Sequence, residues 1–160
     1  MNLPSRRWAV AATVGTLAAL GAIEPSVSAP LTKSDAFVTA ETSGILTIEG
    51  GECFADPAYS RRAAEVVVRY VPCEDGADNQ AYGFLQAPDG PWDRPGLAGY
   101  AWRGCGDFFD RRWPDRDGGT LAYYPILPTA QTWADGDRTV MCAVYRPGGR
   151  LGDSVLPQLR

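Results

Sequence analysis

The chain has no histidine at all, and its only lysine, Lys33, stands against fourteen arginines. Without imidazole, serine and cysteine triads that depend on it are excluded, and so are histidine-containing zinc sites. Charge is sparse at 21 % of residues, with a net charge of −4. Residues 1–29 hold Arg6, Arg7 and Glu24, net +1, so the rest of the chain carries −5. A domain with no basic surplus has no electrostatic footprint for phosphate backbones, which excludes nucleic acid as a partner. The arginine pairs Arg61-Arg62 and Arg111-Arg112 read as solvated surface. Close cysteine pairs are also missing. The four cysteines fall at 53, 73, 105 and 142, so the CxxC spacing of a four-cysteine zinc site is absent. No cysteine follows the apolar N-terminal run, which excludes a lipoprotein anchor. Internal repeats and low-complexity tracts are absent as well, and no motif calls for a cofactor.

What is present begins with an export signal. Met1–Arg7 is a short basic start, Trp8–Ile23 is a run of sixteen uncharged residues, and Glu24-Pro25 ends it. Val27-Ser28-Ala29 supplies small residues for cleavage, the three-part layout of a signal peptide. The run falls short of the roughly 20 residues of a membrane span. Residues 1–29 are therefore expected to be removed, with retention as an anchor as the alternative; membrane contact follows only if they are retained. Ser5-Arg6-Arg7 resembles a twin-arginine start, but Ala9 and Val10 favour ordinary secretion. An even cysteine count behind such a signal predicts two disulfides in a secreted or cell-envelope protein.

At 160 residues the chain is large enough for one domain. Residues 30–44, rich in Thr, Ser and Ala, read as a flexible lead, and 45–160 as the domain. Ile45–Glu49 reads as a strand ending at Gly50-Gly51. Glu65–Val71 and Ala81–Gln86 read as strands forming a hairpin, with Val66, Val68 and Tyr70 on one face. Residues 87–98 hold three prolines and two glycines and read as a loop. Gly99–Trp113 is the helix candidate, with Trp102, Cys105, Phe109 and Trp113 as its apolar stripe and Pro114 ending it. Gly104 and Gly106 weaken it. Leu121–Ile126 and Arg138–Arg146 complete the strands. The fold class is α+β, a small antiparallel sheet with one packed helix and two disulfides.

The pairing follows from these faces. Cys105 shares the helix stripe with Trp102 and Phe109, and Cys142 shares a strand face with Val140 and Val144. If both faces are buried against each other, Cys105 pairs with Cys142, leaving Cys53 for Cys73. A plain hairpin of 45–53 with 65–73 would put Cys73 about 26 Å from Cys53, beyond the roughly 7 Å a disulfide tolerates between Cα atoms. Segment 54–64 is therefore expected to cross over.

Several blocks carry a resemblance: Gly51-Glu52-Cys53-Phe54, Val71-Pro72-Cys73, a lone cysteine in a helix, Pro128-Thr129, Trp133-Ala134-Asp135-Gly136-Asp137-Arg138 leading to Val140 and Cys142, and Leu151-Gly152-Asp153-Ser154. Together they resemble the septum formation-related domain family of actinobacteria over roughly residues 45–160. The arginine-heavy composition fits such a source. The resemblance implies a location in the cell envelope and a link to division, not a reaction. Many relatives carry Pro and His soon after the second cysteine; here Cys73-Glu74-Asp75-Gly76-Ala77 stands instead, so any role of that His is absent.

The remaining candidates have plain structural readings beside the functional ones. Trp133–Arg138 reads as a tight turn at Asp135-Gly136, with Trp133 packed beneath and Asp137 or Arg138 fixing the start of the strand. The aromatic set Trp92, Trp102, Phe108, Phe109, Trp113, Tyr123 and Tyr124 reads mostly as core. Trp92, in the Pro-rich loop, is the member expected at a binding surface. Asp107 and Asp110 lie three apart and could do acid/base work, but arginines beside them favour a solvated face. No catalytic, metal or cofactor residue is assigned. The expectation is a non-enzymatic exported envelope protein, an interaction or sensing module whose partner is a protein or cell-wall component. The alternative is a secreted binder of wall glycan or a protease inhibitor using 87–98.

Overall fold

A computed structural model describes residues 30–115 and 119–157; the expected signal peptide, residues 1–29, lies outside the described residues. The fold is α+β, with a four-stranded antiparallel sheet, a main helix, a short second helix and two disulfides. The strands are β1 (Cys53–Phe54), β2 (Ala58–Ser60), β3 (Glu65–Val67), β4 (Asn79–Gln86), β5 (Ala122–Ile126) and β6 (Thr139–Tyr145), and the helices are α1 (Arg94–Arg112) and α2 (Ala130–Ala134). The sheet order is β1-β4-β6-β5, while β2 and β3 form a separate two-stranded sheet.

β6 is the centre. Val140, Cys142 and Val144 face α1, whereas Met141, Ala143 and Tyr145 face the opposite layer, and all six are buried. Strict alternation of apolar residues thus covers both sides of the sheet. α1 buries Leu97, Ala101, Cys105 and Phe109, a four-residue spacing that keeps one stripe on the sheet. The stripe differs by one face edge from the expected one: Trp102 is only half-buried and leans on Tyr123, ring centroids 5.6 Å apart. The helix also starts five residues earlier than expected. Pro95 lies at its first turn, where a missing N–H costs no helical bond, so the proline-rich reading of 87–98 as loop overshot.

Gly104 and Gly106 let α1 lie close to the strands. A Cβ on Gly104 would stand 2.5 Å from Leu85 Cδ1, and one on Gly106 2.6 Å from the Tyr123 hydroxyl.

Three expected elements are corrected. Ile45–Thr47 is a 3₁₀ turn rather than a strand, and it puts Ile45 and Ile48 in the core; three-residue spacing aligns side chains in that helix type. Strand 65–71 does not pair with 81–86. β3 pairs with β2, and β4 with β1 and β6. Val66 and Tyr70 are exposed and only Val68 of their expected face is buried. Finally, residues 30–44 are no loose lead: Lys33, Val38 and Ala40 are buried, and Ala40 N–H donates to the Leu127 carbonyl.

Both expected disulfides are present, Cys53–Cys73 and Cys105–Cys142, with Cα atoms 5.2 and 5.4 Å apart. The hairpin of 45–53 with 65–73 is absent, and segment 54–64 does not cross over as expected: it turns back tightly at residues 61–64, with Ala58 opposite Val67 and Ser60 opposite Glu65. The chain runs out through β2 and β3 and returns antiparallel, Phe54 opposite Tyr70, and Val71 N–H donates to the Cys53 carbonyl. Cys73 thereby reaches Cys53. At the far end, the buried Gln80 amide donates to the Gly51 carbonyl and Ser154 Oγ, and accepts from Val155 N–H, which fastens the closing segment.

Candidate functional site

The loop 87–93 and the first turn of α1 form one wall of a groove of about 190 Å³, and Trp133 of α2 forms the other. α2 is short, yet its start is fixed by reciprocal bonds. Thr129 Oγ1 accepts from Thr132 N–H, and Thr132 Oγ1 accepts from Thr129 N–H, the capping-box arrangement. Trp133 Nε1 donates to the Gly90 carbonyl at 3.1 Å, which ties the loop to α2. The Arg138 guanidinium lies 3.9 Å from the Trp133 ring and donates to the carbonyls of Trp133 and Asp137. Asp137 Oδ1 accepts from Thr139 N–H. The tight-turn reading of Trp133–Arg138 is therefore the one observed: Trp133 packs and Asp137 starts β6.

Trp92 is half-buried rather than free. Its ring meets Trp133 edge-on, centroids 5.7 Å apart. The groove presents Leu97, Tyr100 and Trp133 as apolar surface, with Asp89 and Asp93 at the rim. The other expected aromatics do not form a platform. Phe109, Trp113 and Tyr124 are buried, and Phe109 stacks on Trp113 and Tyr123 within 5.0 Å. Asp107 and Asp110 are exposed on α1, away from the groove. Among the described residues, no group of three or more His, Cys, Asp or Glu side chains is placed to hold a metal ion.

A second cluster, which the sequence did not reveal, sits beneath the opposite face of the sheet. Lys33 enters the core with its side chain 2 % exposed. Its Nζ donates to Asn79 Oδ1 at 2.8 Å and to Asp56 Oδ1 at 2.5 Å. Asn79 Nδ2 donates to the same Asp56 oxygen at 2.9 Å. The Tyr124 hydroxyl donates to Asn79 Oδ1 at 3.1 Å, and the Tyr145 hydroxyl accepts from Lys33 N–H. The rings of Phe37, Tyr124 and Tyr145 surround the amine at 4.9–5.9 Å. Burial holds the Lys33 amine below its ordinary value of 10.5, against the hydrogen bond and charge of Asp56 and the charge of Asp78. Burial, with Asp56, Tyr145 and Asp78 adding to it, holds the Tyr124 phenol well above 10. The available signal was the solitary lysine itself, which composition alone reads as coding bias.

Set beside known proteins, the chain matches no family model, no curated protein and no solved structure.

Proposed function

We propose that this is a non-enzymatic, exported protein of the cell envelope, an interaction or sensing module with septum formation as its setting and a protein or cell-wall component as its partner. The observation that carries the reading is the chemistry of the groove. Its lining offers apolar and aromatic surface with two rim carboxylates and no hydroxyl, thiol or amine nucleophile beyond the Tyr100 phenol. Its size lies below the roughly 300–1,000 Å³ usual for small-molecule sites, which suits one inserted side chain rather than an enclosed substrate. Two disulfides are compatible with an oxidising compartment. Among the described residues no helix is long and apolar enough to cross a membrane.

The test is to follow a tagged copy in dividing cells. Enrichment at the septum supports the reading, and uniform cytoplasmic signal overturns it. A wall-glycan binder is the second reading, favoured by the pairing of Tyr100 and Trp133 with Asp89 and Asp93 in one groove. It predicts that soluble wall fragments change the tryptophan emission, and that Trp92→Ala abolishes the change.

A further inference from the structure

An amine, a carboxamide and a carboxylate stand in mutual contact beneath the sheet, inside a wall of aromatic rings. We propose that Lys33 and Asn79 join in an intramolecular isopeptide bond, Lys33 Nζ to Asn79 Cγ, with Asp56 as the proton carrier and one ammonia released. The arrangement described above is the one before reaction.

The contacts assign the roles. Asp56 Oδ1 touches both the attacking nitrogen, Lys33 Nζ, and the departing nitrogen, Asn79 Nδ2. That is where a proton must be taken from one and delivered to the other. Asn79 is oriented by its surroundings. Its Nδ2 faces Asp56 and the Phe54 carbonyl, and its Oδ1 faces two donors, Lys33 and Tyr124. Attack on Cγ moves negative charge onto Oδ1, where the Tyr124 hydroxyl already donates. Burial keeps that phenol protonated. The same burial favours an uncharged amine at Lys33, and an uncharged lysine is a nucleophile. Water is largely excluded from the amine, which protects the intermediate from hydrolysis.

The step balances without a co-reactant. Asp56 takes a proton from the Lys33 ammonium. The freed lone pair bonds to Asn79 Cγ, and the carbonyl π pair moves to Oδ1. Asp56 gives its proton to Nδ2 and takes one from the now tetravalent Nζ. The oxygen pair reforms C=O, the Cγ–Nδ2 bond breaks, and ammonia leaves with the proton Asp56 last held. Nothing is oxidised or reduced.

Composition supports the assignment independently. Fourteen of fifteen basic residues are arginine, and arginine cannot be deprotonated in proteins. The single lysine stands where its amine lies 2.8 Å from the Asn79 side-chain carbonyl oxygen and beside the Asp56 carboxylate. The bond would fix the segment that follows the export signal to the first residue of β4, and reductants would not open it.

Peptide mapping of the exported, purified full chain decides the matter, after reduction, alkylation and cleavage by a protease that does not require lysine. The expected result is a branched peptide joining Lys33 to Asn79, one ammonia lighter than its two parts. Linear peptides with unmodified Lys33 and Asn79 would overturn the proposal. A branched peptide joining Lys33 to Asp56, one water lighter, would overturn the assignment of Asn79. Asp56→Asn should reduce the branched peptide to none while both disulfides still form, and branching at the wild-type extent would refute the role of Asp56. The wild-type map stands whether or not the variant folds.

Discussion

The Arg138–Trp133 contact shows how unequal neighbouring interactions of one side chain are. Arg138 pairs with Asp89 at 3.0 Å, but the Asp89 side chain is 93 % exposed, and exposed ion pairs contribute little. The guanidinium over the Trp133 ring and its bonds to two carbonyls are partly buried. Asp89→Asn should therefore change stability by less than about 0.5 kcal/mol. Arg138→Ala should cost about 1–3 kcal/mol by removing the stacking and the bond to the Asp137 carbonyl, while the Trp133 carbonyl keeps the Gly136 N–H. Urea unfolding of the two variants checks the contrast; equal losses would show that the ion pair, not the stacking, matters. The turn was legible in Trp133–Arg138 because Asp-Gly chemistry is local. Lys33 was not legible. Its surroundings come from residues 23 and 46 positions away, and no local pattern encodes them.

At the scale of elements, α1 carries the contacts that sequence periodicity reached and those it missed. Its existence, its burial of Cys105 and the bond to Cys142 were legible, because a four-residue stripe and an alternating strand each declare their inner face. The pairing partners of β3 and β4 were not, because adjacent strands in sequence are only the default neighbours. Here the hairpin β2–β3 intervenes and leaves β4 to β1 and β6. Gly104 and Gly106 of α1 were read as weaknesses, and the structure gives their reason. Glycine to alanine in a helix interior ordinarily stabilises by about 1 kcal/mol. Gly99 should behave so, since its added Cβ would meet only the Arg103 guanidinium, at 3.3 Å. Gly104→Ala should destabilise instead, by about 1–3 kcal/mol, because the new methyl meets Leu85 in a packed layer. Thermal unfolding of both variants tests this, and stabilisation at both positions would show that α1 does not need the close approach. Removal of Cys105–Cys142, which closes 37 residues, should cost about 3–4 kcal/mol on the chain-entropy account, read from the denaturation midpoint of the double alanine variant.

For the whole molecule, alkaline stability depends on three buried groups whose signs differ. Tyr82 and Tyr124 have phenols raised above 10, Tyr82 by burial first and then by Tyr123, against Arg112. In the unfolded chain each loses its proton near pH 10, while the folded chain keeps it. Their stabilisation is thus whole below pH 10 and declines as pH climbs toward their folded values. Each contributes a falling slope of up to about 1.4 kcal/mol per pH unit between its unfolded and folded values. Lys33 has the opposite sign. Its folded value lies below 10.5, so between the two the unfolded chain binds the extra proton and stability rises with pH. That rising limb requires a free amine. Once Lys33 is an amide it no longer titrates, and stability should stay flat until the tyrosines begin to weaken it near pH 10. Urea midpoints measured from neutral to strongly alkaline pH, with tyrosinate absorbance followed in parallel and recovery checked at neutral pH, separate the cases. The expected profile is level and then falling, with tyrosinate appearing as the chain unfolds. A rise before the fall marks a free Lys33 and counts against the cross-link. No fall above pH 10 would mean that the two phenols are not withheld from ionising by the fold.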